Sequence, residues 1–199
     1  MRQAFRLLII AALSGCLASA VAASSPEWVE GDGEVVGVID GDTLDVLVTA
    51  DVAMSLGFRK RKNPLALRLR LDQIDAPERG AAWSNRSKQA LSALVFGKTV
   101  RFRSKAVDRY ERDIAEVFLG DLWVNLWMIE QGHGWAYRRY ASQPVLTCSV
   151  EEKARAARRG LWSQPTATWI APWDWRKQVR SAGAVPTLEQ CLRDATSRE

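Results

Sequence analysis

The sequence predicts a mainly β fold with helices: a five-stranded Greek-key barrel of the OB type, three or more helices, and a C-terminal helical extension. Three observations carry this. Five short segments alternate apolar and polar residues with period two, the spacing of half-buried strands. A segment with apolar residues at helical spacing, Asn85 to Phe96, falls between the third and fourth of them. Beyond Pro165 the composition changes, and Pro172-Trp173-Asp174-Trp175-Arg176 opens a further helix with proline in its first turn.

Residues 1–22 read as an export signal. Arg2 and Arg6 form its charged start, Leu7 to Leu13 an apolar core too short to span a bilayer, and Ala20-Val21-Ala22 a small-residue cleavage site. Leu13-Ser14-Gly15-Cys16 also looks like a lipobox, which would place cleavage before Cys16 and a lipid on it; cleavage after Ala22 is the first expectation. An irregular lead-in, 23–33, precedes a barrel domain, 34–163, and an extension, 164–199.

Within the barrel, Glu34 to Val38 and Thr43 to Thr49 make a hairpin around Asp40-Gly41-Asp42, where Asp-Gly supplies a turn with positive φ. The connection from Ala50 to Pro64 carries Arg59-Lys60-Arg61-Lys62, suited equally to a solvated loop tip and to phosphate. Leu65 to Leu71 alternates as the third strand and runs to Ile74-Asp75-Ala76-Pro77-Glu78, where Pro77 has no N–H for a ladder. The helix from Asn85 is capped by Ser84 or Asn85 and ended by Gly97. Thr99 to Arg103 and Ile114 to Phe118 follow, joined through a turn at Asp108 to Arg112. Leu122 to Val124 closes the last hairpin at Gly120-Asp121. Asn125 caps a short helix, Leu126 to Gln131. Ser149 and Glu152 have capping-box spacing for a helix running to Arg159, ended by Gly160 with Trp162 packing back, and Thr187 with Gln190 starts a last helix carrying Cys191.

Charge and cysteines bound the function. The formal charge is +5, and removal of residues 1–22 takes away two arginines and no acids, leaving a mildly basic chain that suits an anionic partner without specifying one. Once Cys16 leaves with the signal, Cys148 and Cys191 remain as an even pair in an oxidising compartment, so a disulfide between them is expected over two unrelated buried thiols. A single histidine, His133, argues against zinc and for an all-oxygen metal site. The nine tryptophans are expected mostly to pack. An EF-hand beginning at Asp40 is excluded, because its sixth position is Asp45 and not glycine.

Three motifs occur in order: Ile39-Asp40-Gly41-Asp42-Thr43; Arg70 followed by Asp75-Ala76-Pro77-Glu78; and Asp108-Arg109-Tyr110-Glu111-Arg112. Together they resemble the staphylococcal (micrococcal) nuclease or thermonuclease family from about Val35 to Trp162. The resemblance implies the OB-type barrel and an exported, calcium-dependent, sugar-non-specific endonuclease that cuts DNA and RNA and leaves 3′-phosphates. It implies Asp42 and Asp75 as carboxylate ligands of Ca2+, with the Ala76 carbonyl, and Asp40 and Thr43 orienting ligands and water. Arg70 and Arg112 would grip the phosphate, and Glu78 would orient or deprotonate the attacking water. Tyr110 would line the nucleotide pocket, with Tyr137 and Tyr140 as further candidates.

The residues support this chemistry on their own terms. Loose all-oxygen ligation suits calcium before magnesium, and a guanidinium can hold two phosphate oxygens at once where lysine offers a point charge. Taken singly, Glu78 reads by default as a surface carboxylate, and Arg70 reads equally as the outward residue of a strand and Arg112 as a surface arginine. One departure stands out: the family pattern Asp-x-Tyr-Gly-Arg has glycine where this chain has Glu111. If the turn needs positive φ, Glu111 is strained and adds a negative charge beside Arg112. The alternatives to an endonuclease are a catalytically impaired binding module on the same barrel, holding nucleic acid or a protein partner, and an envelope structural protein. The chain is expected to act as a monomer.

Overall fold

Alternating burial along each strand builds the barrel. Strands β1 (Val29–Val38), β2 (Thr43–Val48), β3 (Leu65–Leu71), β4 (Ile74–Asp75), β5 (Thr99–Val107), β6 (Asp113–Leu119), β7 (Leu122–Trp123) and β8 (Trp135–Ala136) are joined by helices α1 (Ala50–Ser55), α2 (Ser84–Val95), α3 (Val124–Glu130), α4 (Pro144–Ala156), α5 (Pro172–Arg176) and α6 (Leu188–Thr196). This computed structural model describes residues 28–55, 65–139, 141–181, 183 and 185–196. The expected export signal with Cys16, the basic run 59–62 and Tyr140 lie outside them.

The large sheet runs β3-β2-β1-β5-β6-β7, and β3 also pairs parallel with β6, closing five strands into a barrel of mixed pairing with β7 as an added strand. Val35, Leu44, Val46, Leu69, Val100, Phe102, Ala115 and Val117 point inward and are buried, with Leu91 and Val95 of α2 and Met128 and Ile129 of α3 completing the core. β4 and β8 form a separate two-stranded sheet in which Asp75 lies opposite Trp135. A second core lies on that sheet: Trp135, Ala154, Leu161, Trp162 and Ala171, against which Trp83, Trp169 and Trp173 pack. Trp135 meets Trp162 and Trp173 edge-on at 4.6 and 5.7 Å between centroids, a favoured aromatic geometry. Cys148 of α4 and Cys191 of α6 are joined by a disulfide, Cα–Cα 6.0 Å.

Several elements depart from their expected bounds, each for a local reason. β1 begins at Val29, inside the expected irregular lead-in, and its first half pairs with β5. Gly31 and Gly33 hide this strand from an alternation search: a Cβ there would come within 2.5 Å of Val52 and 2.4 Å of Val46, so the inward positions are empty where a pattern would show apolar side chains. Part of the expected connection after Thr49 is α1, six residues long and too short to show a helical pattern. α2 starts one residue early, with Trp83 in the left-handed region as its cap in place of Ser84 or Asn85. Its indole N–H donates to Nδ1 of His133 at 3.1 Å, so packing places this cap and capping chemistry does not. Asn125 lies within α3, buried, and caps nothing. α4 starts at Pro144, whose fixed φ suits a first turn, so Ser149 sits in mid-helix donating to the Leu146 carbonyl at 2.9 Å. Thr187 and Gln190 do form a reciprocal cap on α6, at 2.8 and 3.2 Å.

Candidate active site

The β1–β2 turn, the end of β3 with β4, and the β5–β6 turn meet at one mouth of the barrel. Gly41 is not in the left-handed region, contrary to the expected Asp-Gly turn. A Cβ there would lie 1.9 Å from Ser87 Oγ and 2.7 Å from the Ala76 methyl, so glycine lets the turn press against α2 and the Ala76 side chain. That contact brings Asp42 to β4, and the Ala76 N–H donates to Asp42 Oδ2 at 2.6 Å. Asp40 Oδ1 accepts from the Asp42 N–H at 3.0 Å, and the Thr43 hydroxyl donates to Asp42 Oδ1 at 3.0 Å.

Arg70 is the bridge. Its Nη1 lies 3.2 Å from Asp42 Oδ2 and its Nη2 3.0 Å from Asp75 Oδ1, so the two carboxylates stand within one guanidinium's width of each other. Nη1 also donates to the Leu71 and Ile74 carbonyls at 2.9 and 2.8 Å, which fixes the fork. Burial works against the Arg70 cation, but Asp42, Asp75 and Asp40 outweigh it and hold its pKa above the ordinary value. Asp42 is pushed the other way: burial, with repulsion from Asp40 and Asp75, raises it to about 7 against the pull of Arg70 and the Ala76 N–H. Burial is the larger cause, so positive charge close to Asp42 favours its ionised form.

Those observations fit a hard divalent cation. Two carboxylates at this separation are oxygen donors, and added positive charge would relieve the repulsion felt by Asp42. No group of three or more His, Cys, Asp or Glu among the described residues forms a ready cage, so water would complete the shell. Asp42, Asp75 and the Ala76 carbonyl are the residues that would hold the ion.

Arg112 approaches from the β5–β6 turn, its Nη1 3.5 Å from Thr43 Oγ1. Asp108 holds it: Nε and Nη2 lie 2.8 and 2.7 Å from Oδ2, while Oδ1 accepts the backbone N–H groups of Tyr110 and Arg112 at 2.8 and 3.1 Å. Burial would raise the pKa of Asp108, but these Arg112 and backbone hydrogen bonds lower it. Glu111 has φ 60°, so this turn does place a β-carbon-bearing residue in the left-handed region. Tyr110 is exposed, with the guanidiniums of Arg109 and Arg112 at 4.8 and 5.3 Å from its ring centroid. Tyr137 is half-buried beside β4, its N–H donating to the Gln73 carbonyl at 2.9 Å.

Glu78 stands just past Pro77, and its Oε1 accepts from Arg176 Nη1 at 2.6 Å. The same guanidinium reaches Asp75, with Nη2 2.7 Å from Oδ2 and Nη1 3.2 Å from Oδ1. Sequence reasoning placed Pro172 to Arg176 in a helix but missed this role, because nothing near position 176 signals a partner 98 and 101 residues earlier.

Residues 68–164 match the family model described as Staphylococcal nuclease homologue. Protein ParB of Escherichia coli is 39% identical over 193 residues, covering 89% of this chain and 94% of that protein. A micrococcal nuclease of Shigella flexneri is 36% identical over 184 residues, covering 87% and 97%. An uncharacterized endonuclease of Haemophilus influenzae is 37% identical over 146 residues, covering 73% of each.

Proposed function

Since the chain belongs to the staphylococcal nuclease family, we propose that it is a calcium-dependent, sugar-non-specific endonuclease that hydrolyses phosphodiester bonds of DNA and RNA and leaves 3′-phosphates. One observation carries this reading: Arg70 spans Asp42 and Asp75 while Glu78 and Arg112 stand on either side, linked to the same cluster through Arg176 and Thr43. Three stretches far apart along the chain thus present carboxylates for a cation, a carboxylate for water and guanidiniums for phosphate.

The proposed reaction follows. Water adds to phosphorus and the P–O5′ bond breaks; the departing 5′-oxygen takes a proton from solvent, giving a 3′-phosphate and a 5′-hydroxyl. Glu78 orients the attacking water and takes its proton. Arg112 is held by Asp108 with Nη1 facing the site, and there it neutralises charge developing on the phosphoryl oxygens. Arg70 contributes positive charge from a fixed, buried position and keeps Asp42 and Asp75 at their spacing. A calcium ion, when bound, supplies further neutralisation at the phosphate. Tyr110 offers a stacking surface beside Arg112.

The same reading places the chain outside the cytoplasm, periplasmic or secreted, as a monomer; the Cys148–Cys191 disulfide supports an oxidising destination. Among the described residues no helix is long and apolar enough to cross a membrane. The test is plasmid DNA and an RNA transcript incubated with the protein, with calcium or with a chelator. Cleavage of both that chelation stops is expected. Cleavage that survives chelation would remove the calcium mechanism, and no cleavage would leave a nucleic-acid-binding module.

A further inference from the structure

Arg176 has no part in the reaction just described, although it spans two of the carboxylates on which that reaction depends. Packing explains how it gets there. Asp75 lies opposite Trp135 across β4 and β8, and Trp135 meets Trp173 edge-on. Arg176 follows Trp173 by three residues, one turn of α5, so the contact that seats α5 also delivers the guanidinium to Asp75. The disulfide fastens the chain beyond α5 to α4.

The two arginines on Asp75 are held very differently. The Arg70 side chain is 15% exposed and is tied to two backbone carbonyls as well as to carboxylates. The Arg176 side chain is 45% exposed and grips Asp75 and Glu78 through side-chain contacts. With Arg70 on Oδ1 and Arg176 on both oxygens, Asp75 faces guanidinium groups with each of its donor atoms. A cation entering at Asp75 must displace one of them, and the exposed one is cheaper to move. Nη1 lies 2.6 Å from Glu78 Oε1 but 3.2 Å from Asp75 Oδ1, and the 2.7 Å bond to Asp75 Oδ2 comes from Nη2, so a pivot about the Glu78 bond opens both Asp75 contacts.

Resting on the nuclease reading, we propose that Arg176 is a positioning residue of this site: it occupies Asp75 until a divalent cation displaces it, and it holds Glu78 by one oxygen so that the other faces the attacking water. The C-terminal segment, outside the residues that match the family model, is thereby a working part of the site.

Two measurements on the full chain test this. Calcium chloride alone is titrated calorimetrically into wild type, Arg176→Ala, Arg176→Lys and Arg180→Ala, and kcat and KM on a plasmid substrate are then measured at saturating calcium. Arg176→Ala should bind calcium about three- to tenfold tighter, the worth of releasing a half-exposed ion pair. Its kcat should fall about tenfold with KM within about twofold, because Glu78 loses its orientation and not its charge. Arg176→Lys should recover part of both changes. Arg180→Ala, which loses a contact to the Trp175 ring and carbonyl in the same segment, should match wild type. Mere damage to the segment would weaken calcium binding and turnover together. Calcium affinity in Arg176→Ala that is unchanged or weaker overturns the displacement, and an unchanged kcat overturns the hold on Glu78. A wild-type chain that binds calcium but cuts nothing would sink the nuclease reading, leaving the calorimetric comparison to decide the displacement by itself.

Discussion

Replacing Asn125 with alanine should remove a large part of the stability of the fold without touching the site directly. Asn125 is 1% exposed and serves three backbone groups. Its Oδ1 accepts the Val117 N–H at 2.9 Å, and its Nδ2 donates to the Asp72 and Ala115 carbonyls at 2.9 and 3.0 Å. The Ala115 carbonyl keeps a second donor, the Asp72 N–H at 2.8 Å, so two groups are orphaned by truncation: the Val117 N–H and the Asp72 carbonyl. At about 1–3 kcal/mol for each buried unsatisfied group, the loss is about 2–6 kcal/mol, a large fraction of the ~5–15 kcal/mol that holds a domain together. Chemical denaturation followed by tryptophan fluorescence reads it as a lower midpoint at unchanged slope. A loss below about 1 kcal/mol would mean that water or a shifted backbone satisfies both groups, and the account of Asn125 as a stitch between α3, β6 and the β3–β4 turn would be wrong.

Glu78→Gln and Arg112→Ala should each lower kcat by about 10²–10³ with the fold intact by circular dichroism, as expected when a positioned group acting on the transition state is removed; near-normal turnover in either variant removes its assigned role. Glu111→Gly should stabilise the chain by about 0.5–1 kcal/mol, the left-handed cost of an L-residue less the added freedom of glycine, and a melting midpoint that fails to rise would show the turn to be unstrained. His133 is half-buried, and its partial burial lowers its pKa below the ordinary value. Its neutral form is therefore favoured by the fold, so its contribution to stability is complete above about pH 6.5 and is lost as pH falls through the lowered value. Because it is the single histidine, one NMR titration follows it without ambiguity, and a midpoint above about 6.5 would contradict the burial argument.

What could be read from the chain and what could not divide along physical lines. Strands β2, β3 and β6 were legible because Leu44, Val46, Leu67, Leu69, Ala115 and Val117 alternate with polar neighbours, and the barrel follows from their pairing. The acidic turn was visible in Asp40 to Thr43, but its reason was not: Gly41 serves a close approach to Ser87 and Ala76, which only the folded chain reveals. The strain at Glu111 could be anticipated because a motif fixed what its neighbour had to be. Local capping rules failed at Ser84 and Ser149, where Trp83 docking and Pro144 set the helix starts. Arg176 had no local signal at all, since its placement depends on tryptophans from three separate segments coming together.

The Cys148–Cys191 cross-link changes what letting go means for Arg176. The bond closes a loop with a sequence separation of 43, and α5 lies inside it. An arm leashed at both ends cannot drift into solution when its guanidinium leaves Asp75; it stays nearby at an effective concentration on the millimolar scale. Departure and return are a unimolecular swing in either redox state, and the cross-link narrows its range. Under reducing conditions one tether is cut, and the same arginine must find its carboxylates from a far larger volume.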